Sequence, residues 1–369
     1  MIPFARMLEY GNIAQRSIKQ LIYSDCCYVL YSTGELYGYG NNSSGTLGQG
    51  DLTNRYDKFY LIDTDVKVFA CCDRSLVYIK YDNTIWCTGE SSAYSDSTAR
   101  DTIPRNITSY FSSVINVQDI AKIQTARTSI VLRMPDGTVY GIGKNTSGEL
   151  GTGSTNAVLT LRVIAVNTID MSANVSNVGI LDSNSNYSIC GLNNAGQLGT
   201  NNMISSATFG VRMTNVRAIQ QGLYSSYCML NSGISMACGY NSQGELGVGL
   251  SSGNILVFTN TSPNNVDIFY NSKINRNHIF SSTFGVLNGV LYSAGNGTST
   301  SRNTSSVVRA MSGAISPIGI NFGAISSGYV GAFMYRGTDI YYTGDAVMNL
   351  NGTGNVGSFT LLTKGLPVF

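Results

Sequence analysis

One glycine-rich stretch recurs along this chain at a nearly fixed spacing. The clear copies are GNNSSGTLGQG from Gly40, GKNTSGELGTG from Gly143, GLNNAGQLGTN from Gly191 and GYNSQGELGVG from Gly239. Weaker copies follow short apolar runs that end on Gly89, Gly295 and Gly344. Successive anchor glycines lie 48 to 56 residues apart. A period of this length is typical of propeller blades or solenoid units.

Within each unit the same order of short β runs repeats. In the third unit VQDIAKIQ from Val117 is apolar at alternate positions, TSIVLRM from Thr128 follows, and VLTLRVI from Val158 closes the unit. The pair Asp136-Gly137 before TVYGIG marks a hairpin. Such a pair favours a primed turn, in which both central residues have φ > 0. We therefore predict that each unit is a four-stranded antiparallel meander.

A single meander has two apolar faces and cannot bury either of them alone. Seven units around an axis would bury both faces and leave one short sheet edge per unit. The sequence therefore predicts an all-β fold, a seven-bladed β-propeller of four-stranded antiparallel blades that forms one domain over residues 1–369. An open β-solenoid, whose repeats are shorter, is the weaker alternative. The expected blades are 15–63, 64–114, 115–165, 166–213, 214–266, 267–316 and 317–369, and residues 1–14 form an N-terminal segment at the seam or at a docking site.

The pattern G-x-N-x-x-G-x-L-G in the clear copies resembles the repeat signature of the regulator-of-chromosome-condensation (RCC1-like) family, whose members are seven-bladed propellers. Glycine supplies φ > 0 in the tight loop, asparagine bonds the loop backbone, and leucine fills the space between blades. A nucleotide site at Lys144 is disfavoured because no helix follows the glycine loop. The structural repeat residues are Gly40, Asn42, Leu47, Gly143, Asn145, Leu150, Gly191, Asn193, Leu198, Gly239, Asn241 and Leu246.

The composition offers little chemistry. Charged residues make up 12% of the chain and the net charge is +2, so no nucleic-acid partner is indicated. His278 is the single histidine and none of the eight cysteines forms a C-x-x-C pair, so we expect no metal, no cofactor and buried, reduced thiols. No motif pairs a nucleophile with a base, and we expect no enzymatic activity. No apolar run is long enough for membrane insertion.

Aromatic residues and arginines recur at the predicted turns between the first and second strands. Such side chains anchor protein interfaces because they offer a large contact area at a small entropic cost. The alternative is that individual tyrosines fill a β-rich fold. We predict a protein-binding face formed by Tyr28, Arg74, Arg127, Tyr224, Tyr227, Phe284 and Tyr329.

The resemblance implies two different functions. Some family members catalyse nucleotide exchange on a small GTPase, and their repeats often carry histidine at a position that this chain fills with other residues. That departure argues against exchange activity. Other members bind a protein through an aromatic-rich end face, which is the nearer parallel. The residues at the histidine position are Cys26, Ser75, Thr128, Asn177, Ser226, Thr283 and Val330.

We therefore predict a non-enzymatic protein-binding propeller. Its charge-poor composition, rich in Asn, Ser, Thr, Gly and Tyr, is typical of bacteriophage fibre and decoration proteins. On that basis it is expected to be a structural or host-recognition component of a virion, on the tail or capsid surface, assembled in the host cytoplasm. Its partners would be other virion proteins or a host surface receptor. The alternatives are a cytoplasmic regulator of a GTPase-like signalling protein and a glycan-binding module.

Overall fold

A computed structural model describes residues 16–261 except 25, 73, 96, 243 and 251–252, and beyond them the strands whose bounds are given below. The predicted N-terminal segment 1–14 and His278 lie outside the described residues.

Five four-stranded antiparallel sheets follow one another along the chain, each with its strands in sequence order. Sheet 1 contains β1 (Ile18–Tyr23), β2 (Cys26–Tyr31), β3 (Leu36–Gly40) and β4 (Arg55–Asp63). Sheet 2 contains β5 (Val66–Cys71), β6 (Ser75–Lys80), β7 (Ile85–Glu90) and β8 (Arg100–Asn106). Sheet 3 contains β9 (Lys122–Ala126), β10 (Ser129–Arg133), β11 (Val139–Gly143) and β12 (Val158–Ala165). Sheet 4 contains β13 (Thr168–Asn174), β14 (Asn177–Asp182), β15 (Tyr187–Gly191) and β16 (Ser206–Met213). Sheet 5 contains β17 (Val216–Gln221), β18 (Ser225–Leu230), β19 (Ser235–Tyr240) and β20 (Asn254–Asn260).

The same backbone pairing recurs in two further groups of four strands. The first group is β21 (Ile268–Asn271), β22 (Ser282–Leu287), β23 (Val290–Gly295) and β24 (Ser305–Ala310). The second is β25 (Ala324–Ser327), β26 (Gly331–Arg336), β27 (Asp339–Gly344) and β28 (Val356–Leu361).

The hairpins between second and third strands differ from the predicted turn. At Asp136-Gly137 only the glycine is left-handed, with φ 84°. The Met134 N–H donates to Thr138 O at 2.8 Å, and the Gly137 N–H donates to Met134 O at 3.1 Å. The primed turn predicted here is therefore wrong. A longer loop with one left-handed residue joins the strands, and this is another common way to match their twist.

The first strand of sheet 3 begins later than its apolar alternation indicates. Val117–Asp119 is a 3-10 turn, and β9 starts only at Lys122. Val117 and Phe111 are buried in the apolar cluster between sheets 2 and 3. The alternation over VQDIAK was therefore misread as a strand, because a connecting segment that lies on a core also places apolar residues inward.

The repeat loops are closed by their asparagines. In all four clear copies the leucine N–H donates to Oδ1 of the asparagine, at 2.8 Å for Leu47 and Leu198 and at 2.9 Å for Leu150 and Leu246. On its other side the asparagine Nδ2 donates at 2.9 Å to a carbonyl at the far end of the loop. The acceptors are the carbonyl oxygens of Asp51, Ser154, Asn202 and Leu250.

The closed loops of sheets 1, 3 and 4 each pack against the fourth strand of the following sheet. The Gly50 N–H donates to Thr102 O at 2.7 Å, and the Gly153 N–H donates to Ala207 O at 2.8 Å. A Cβ at Gly151 would lie 2.4 Å from the ring of Phe209, so no larger residue fits there without displacing the ring. These contacts join neighbouring sheets by backbone hydrogen bonds as well as by apolar packing.

The first strands lie side by side at the inner edge of the sheets. Strand β9 contacts both β5 and β13, and β13 contacts β17. Between β1 and β5 the Gln20 side chain replaces a backbone pair, because its Nε2 donates to Phe69 O at 2.8 Å while its Oε1 accepts the Phe69 N–H at 3.3 Å. The fourth strands therefore form the outer edge.

We expect Asn193→Ala to lower the free energy of unfolding by about 2–4 kcal/mol, because it leaves the buried Leu198 N–H and two loop carbonyls without their partner. Urea unfolding followed by circular dichroism measures the loss. The matched control is Asn194→Ala, since this neighbouring asparagine is exposed. Equal stability of the two variants would contradict the role assigned to the repeat asparagine.

Candidate protein-binding face

One end of the sheets carries the connections between first and second strands together with the start of each repeat loop; we call this end the turn face. Its connections are tied to one another from sheet to sheet. The Cys72 thiol donates to Ala126 O at 3.2 Å, and the Arg127 N–H donates to Val175 O at 2.9 Å. The backbone of the turn face is therefore fixed by contacts that do not involve its outward side chains.

Two residues predicted for the binding face are in the core. Tyr28 is 1% exposed and Tyr227 is 0% exposed, and both lie within second strands. Tyr28 packs edge-on against Phe69 with ring centroids 6.0 Å apart, and the Tyr227 hydroxyl donates to Glu245 O at 3.2 Å. The prediction was wrong for both tyrosines, because the second strand is covered on both faces and leaves no side chain for a partner.

Three of the predicted residues do lie on the turn face, where Arg74, Arg127 and Tyr224 are half-buried. Nη1 of Arg74 is 3.1 Å from a carboxylate oxygen of Glu90, whose side chain is almost fully buried. The side chains of Phe284 and Tyr329 lie outside the described residues.

In sheets 2 to 5 the residue after the anchor glycine lies beside a residue of the adjacent turn. The Glu90 N–H donates to Arg74 O at 2.7 Å, and the Tyr240 N–H donates to Tyr224 O at 2.9 Å. The same bond joins the Lys144 N–H to Thr128 O at 2.7 Å and the Leu192 N–H to Ser176 O at 2.9 Å. In each of sheets 2 to 5 the turn face thus holds one pair of residues on a constant backbone, in which Glu90 and Thr128 are buried and the other members are half-buried. We call these the displayed pairs.

The close approach that creates a displayed pair explains the anchor glycines. A Cβ at Gly89 would lie 2.2 Å from Arg74 O, and one at Gly239 would lie 2.1 Å from Tyr224 O. Both glycines are left-handed, with φ of 97° and 119°. Only glycine combines this backbone conformation with that distance.

The displayed pairs differ from one sheet to the next. In sheet 2 the pair is Arg74 and Glu90, which form an ion pair, and in sheet 3 it is Thr128 and Lys144. Sheet 4 presents Ser176 and Leu192, and sheet 5 presents Tyr224 and Tyr240 with ring centroids 6.5 Å apart. Lys144, Leu192 and Tyr240 were missed as face residues. The signal that could have found them is their fixed position immediately after an anchor glycine.

The strand register also locates the residues opposite the anchor glycines. They are Cys26, Ser75, Ser129, Asn177 and Ser225 in sheets 1 to 5. In sheets 3 and 5 the residue opposite the glycine is one place away from Thr128 and Ser226, which the sequence analysis assigned to the histidine position of the family's repeats. None of these positions is a histidine.

Two cysteines that precede anchor glycines join neighbouring sheets. The Cys190 thiol donates to Glu149 O at 3.2 Å, and the Cys238 thiol lies 3.6 Å from Gln197 O. Burial raises the pKa of both thiols well above its usual value, which keeps them protonated and able to donate. In the part of the chain that the structure describes, no group of His, Cys, Asp and Glu residues could hold a metal ion. No helix among the described residues is long and apolar enough to cross a membrane.

No family model matches the chain. Curated relatives include the probable E3 ubiquitin-protein ligase HERC4 of Homo sapiens and that of Rattus norvegicus, each 28% identical over 136 residues, which is 35% of this chain. The match spans only 12% of the length of these relatives.

Solved structures are similar over most of the chain. Prp20p from Saccharomyces cerevisiae has a TM-score of 0.73 at 12% identity, covering 95% of this chain and 88% of that protein. Human WBSCR16 has a TM-score of 0.70 at 13% identity, covering 89% and 94%. A second structure of Prp20p, there called yeast RCC1 and bound to Kap60, has a TM-score of 0.72 at 14% identity, covering 96% and 90%. These similarities show the fold.

We expect the native protein to react with less than one equivalent of Ellman's reagent at pH 8, and the urea-unfolded chain to react with all eight thiols. All eight cysteines are free and buried, and burial raises the pKa of Cys27, Cys87, Cys190, Cys228 and Cys238. Absorbance at the thionitrobenzoate band counts the reacted thiols. Rapid reaction of several thiols without denaturant would contradict the burial.

Proposed function

We propose that this chain, which has the fold of the RCC1-like propellers, is a non-enzymatic propeller that recognises a protein partner with its turn face. The observation that carries the proposal is the set of displayed pairs, in which one backbone arrangement holds a different pair of residues in each of sheets 2 to 5. A surface of this kind can fit one partner specifically while the fold stays the same.

The rigidity of the turn face supports this role. Its connections are bonded to one another, and the backbone of each displayed pair is joined by a hydrogen bond of 2.7–2.9 Å. A preorganised surface loses little conformational entropy on binding, so more of the contact energy contributes to affinity. Tyr224 and Tyr240 are of the residue type that most often anchors interfaces.

The structural neighbours support a protein as the partner. Prp20p from Saccharomyces cerevisiae is described as binding Gsp1p and histones, and in a second structure it is bound to Kap60. Regulation of a GTPase-like protein is therefore the second candidate for this chain. Nucleotide exchange is the less favoured form of it, since none of the seven residues at the histidine position of the family's repeats is a histidine. The virion role predicted from composition gains no support from these neighbours and stays a prediction.

We further infer that the sheets form a closed ring of seven blades. Seven anchor glycines recur along the chain, and β25 and β26 contact β1. A contact between the last four strands and the first strand is what ring closure requires, and closure leaves only short protected edges.

A photo-crosslinking amino acid at Tyr224 is expected to capture a protein partner in cells that express the chain, because this residue belongs to the displayed pair of sheet 5. The matched control places the same group at Tyr81, which is 52% exposed at the opposite end of its sheet. Mass spectrometry identifies the captured protein. Arg127→Ala and Tyr240→Ala should each weaken binding of that protein about tenfold.

Equal capture at Tyr224 and Tyr81, or unchanged affinity in both alanine variants, would contradict recognition by the turn face. Thermal unfolding of the variants separates a binding defect from a folding defect, since neither half-buried side chain lies in the apolar core.

Electron microscopy of the purified chain tests the ring. Class averages viewed along the axis are expected to show seven blades without a gap. An open arc, or a different number of blades, would rule out the closed seven-bladed ring and leave recognition by the turn face standing.

A further inference from the structure

The connection from sheet 2 to sheet 3 is much longer than three others in the described part of the chain. Sheets 1 and 2, sheets 3 and 4, and sheets 4 and 5 are joined by residues 64–65, 166–167 and 214–215. Between β8 and β9 the connection is residues 107–121, and it contains the 3-10 turns Thr108–Tyr110 and Val117–Asp119. We call residues 107–121 the long connection.

The buried side of the long connection holds it against the core. The weak repeat copy after Gly89 contains no leucine, whereas each clear copy contributes a buried one. Ile107, Phe111 and Ile115 are buried in one apolar cluster with Tyr94 of that weak copy. The long connection therefore takes the place of the missing repeat leucine, and its backbone is fixed by this packing.

The long connection also leaves one side of the hairpin in sheet 2 uncovered. At the hairpin tips of sheets 1, 3 and 4, the carbonyls of Gly34, Gly137 and Ser185 accept the N–H of the first residue of the next sheet at 2.9–3.0 Å. Asn83 takes the same place in sheet 2, with the same left-handed backbone at φ 64°. Among the described residues, none donates a hydrogen bond to the Asn83 carbonyl. An acceptor that is paired in three other sheets is therefore available here.

A cavity of about 430 Å³ lies between this hairpin and the long connection. Its volume is within the range of small-ligand pockets, roughly 300–1,000 Å³. The described lining consists of the amides of Asn83 and Asn116, the hydroxyls of Thr108, Ser112 and Ser113, and three aliphatic side chains. Within the described part of the chain, the side chains of the two asparagines and the two serines form no hydrogen bond. Four polar side chains and one backbone acceptor thus face the cavity without a protein partner.

This lining favours a neutral ligand with several hydroxyl groups. Amide side chains and serine hydroxyls donate and accept hydrogen bonds, as sugar hydroxyls do, and a hydroxyl supplies the donor that the Asn83 carbonyl lacks. A charged ligand would find no counter-charge among the described lining residues. Peptides bind along a strand edge or in an apolar groove, whereas a hairpin tip and the long connection form the walls here.

We propose that this cavity binds a neutral sugar unit. Asn83 from the hairpin and Asn116 from the long connection bind its hydroxyl groups, and Val114, which is 48% exposed, contacts the C–H face of its ring. The hairpin lies at the end of sheet 2 opposite the turn face. Sugar binding and recognition of a protein by the turn face can therefore fail independently.

Saturation-transfer difference NMR on the full chain tests the proposal, with the methyl glycosides of glucose, galactose, mannose and N-acetylglucosamine as probes. At least one glycoside is expected to bind, and titration gives its Kd. Asn83→Gly should weaken binding about tenfold, because it removes the amide. Glycine has the same left-handed conformation at this place in sheets 1 and 3, so the variant should fold normally. Ser113→Ala should weaken binding as well.

Asn215→Gly is the matched control, because it makes the same change at another left-handed asparagine, which is exposed in the connection between sheets 4 and 5. It should leave binding unchanged, as should Tyr224→Ala on the turn face. No binding of any of the four glycosides, or equal binding by the wild type and Asn83→Gly, would overturn the proposal. Tighter binding of methyl glucuronide would also overturn it, because the ligand would then be an anion.

The sugar could come from a glycan chain or be free in solution, and an oligosaccharide that ends in the bound sugar separates the two. Binding at least tenfold tighter than that of the methyl glycoside indicates a glycan, and equal binding indicates a free sugar; both results support the site. A photo-crosslinking residue at Ser113 that captures an unglycosylated protein would instead refute it, in favour of a protein ligand.

Discussion

The buried asparagine of the repeat loop is the contact on which the architecture depends. It accepts the leucine N–H at one side of the loop and donates to a carbonyl at the other, so one side chain fixes the loop conformation. A fixed loop places its leucine and its glycines against the following sheet, where the loop backbone bonds to the fourth strand. Removing the asparagine would therefore affect the contact between sheets as well as the loop that contains it.

Stability in this arrangement comes from contacts between nearest neighbours, and the surface is free to vary. The backbone contacts at Gly89 and Gly239 recur although the residues on either side of them do not. An ion pair in sheet 2 and a tyrosine pair in sheet 5 occupy the same framework. The residue before the anchor glycine also varies while its bond to the preceding loop is kept. Cys190 and Cys238 make this bond with their thiols, and Thr88 makes the equivalent bond with its hydroxyl, to Thr46 O at 2.7 Å. The framework specifies where a donor is needed and leaves open which residue provides it.

The sequence predicted the parts of the structure that depend on special backbone conformations. Left-handed glycines and a loop-closing asparagine recur at a fixed spacing, so the repeat and the four-stranded sheets could be recognised. The prediction failed where the same local sequence pattern can arise from two different structures. Val117 alternates with polar residues because a 3-10 turn lies on a core, and Tyr28 follows a turn yet points between two sheets. Burial between sheets is set by the neighbouring unit, which no local pattern contains.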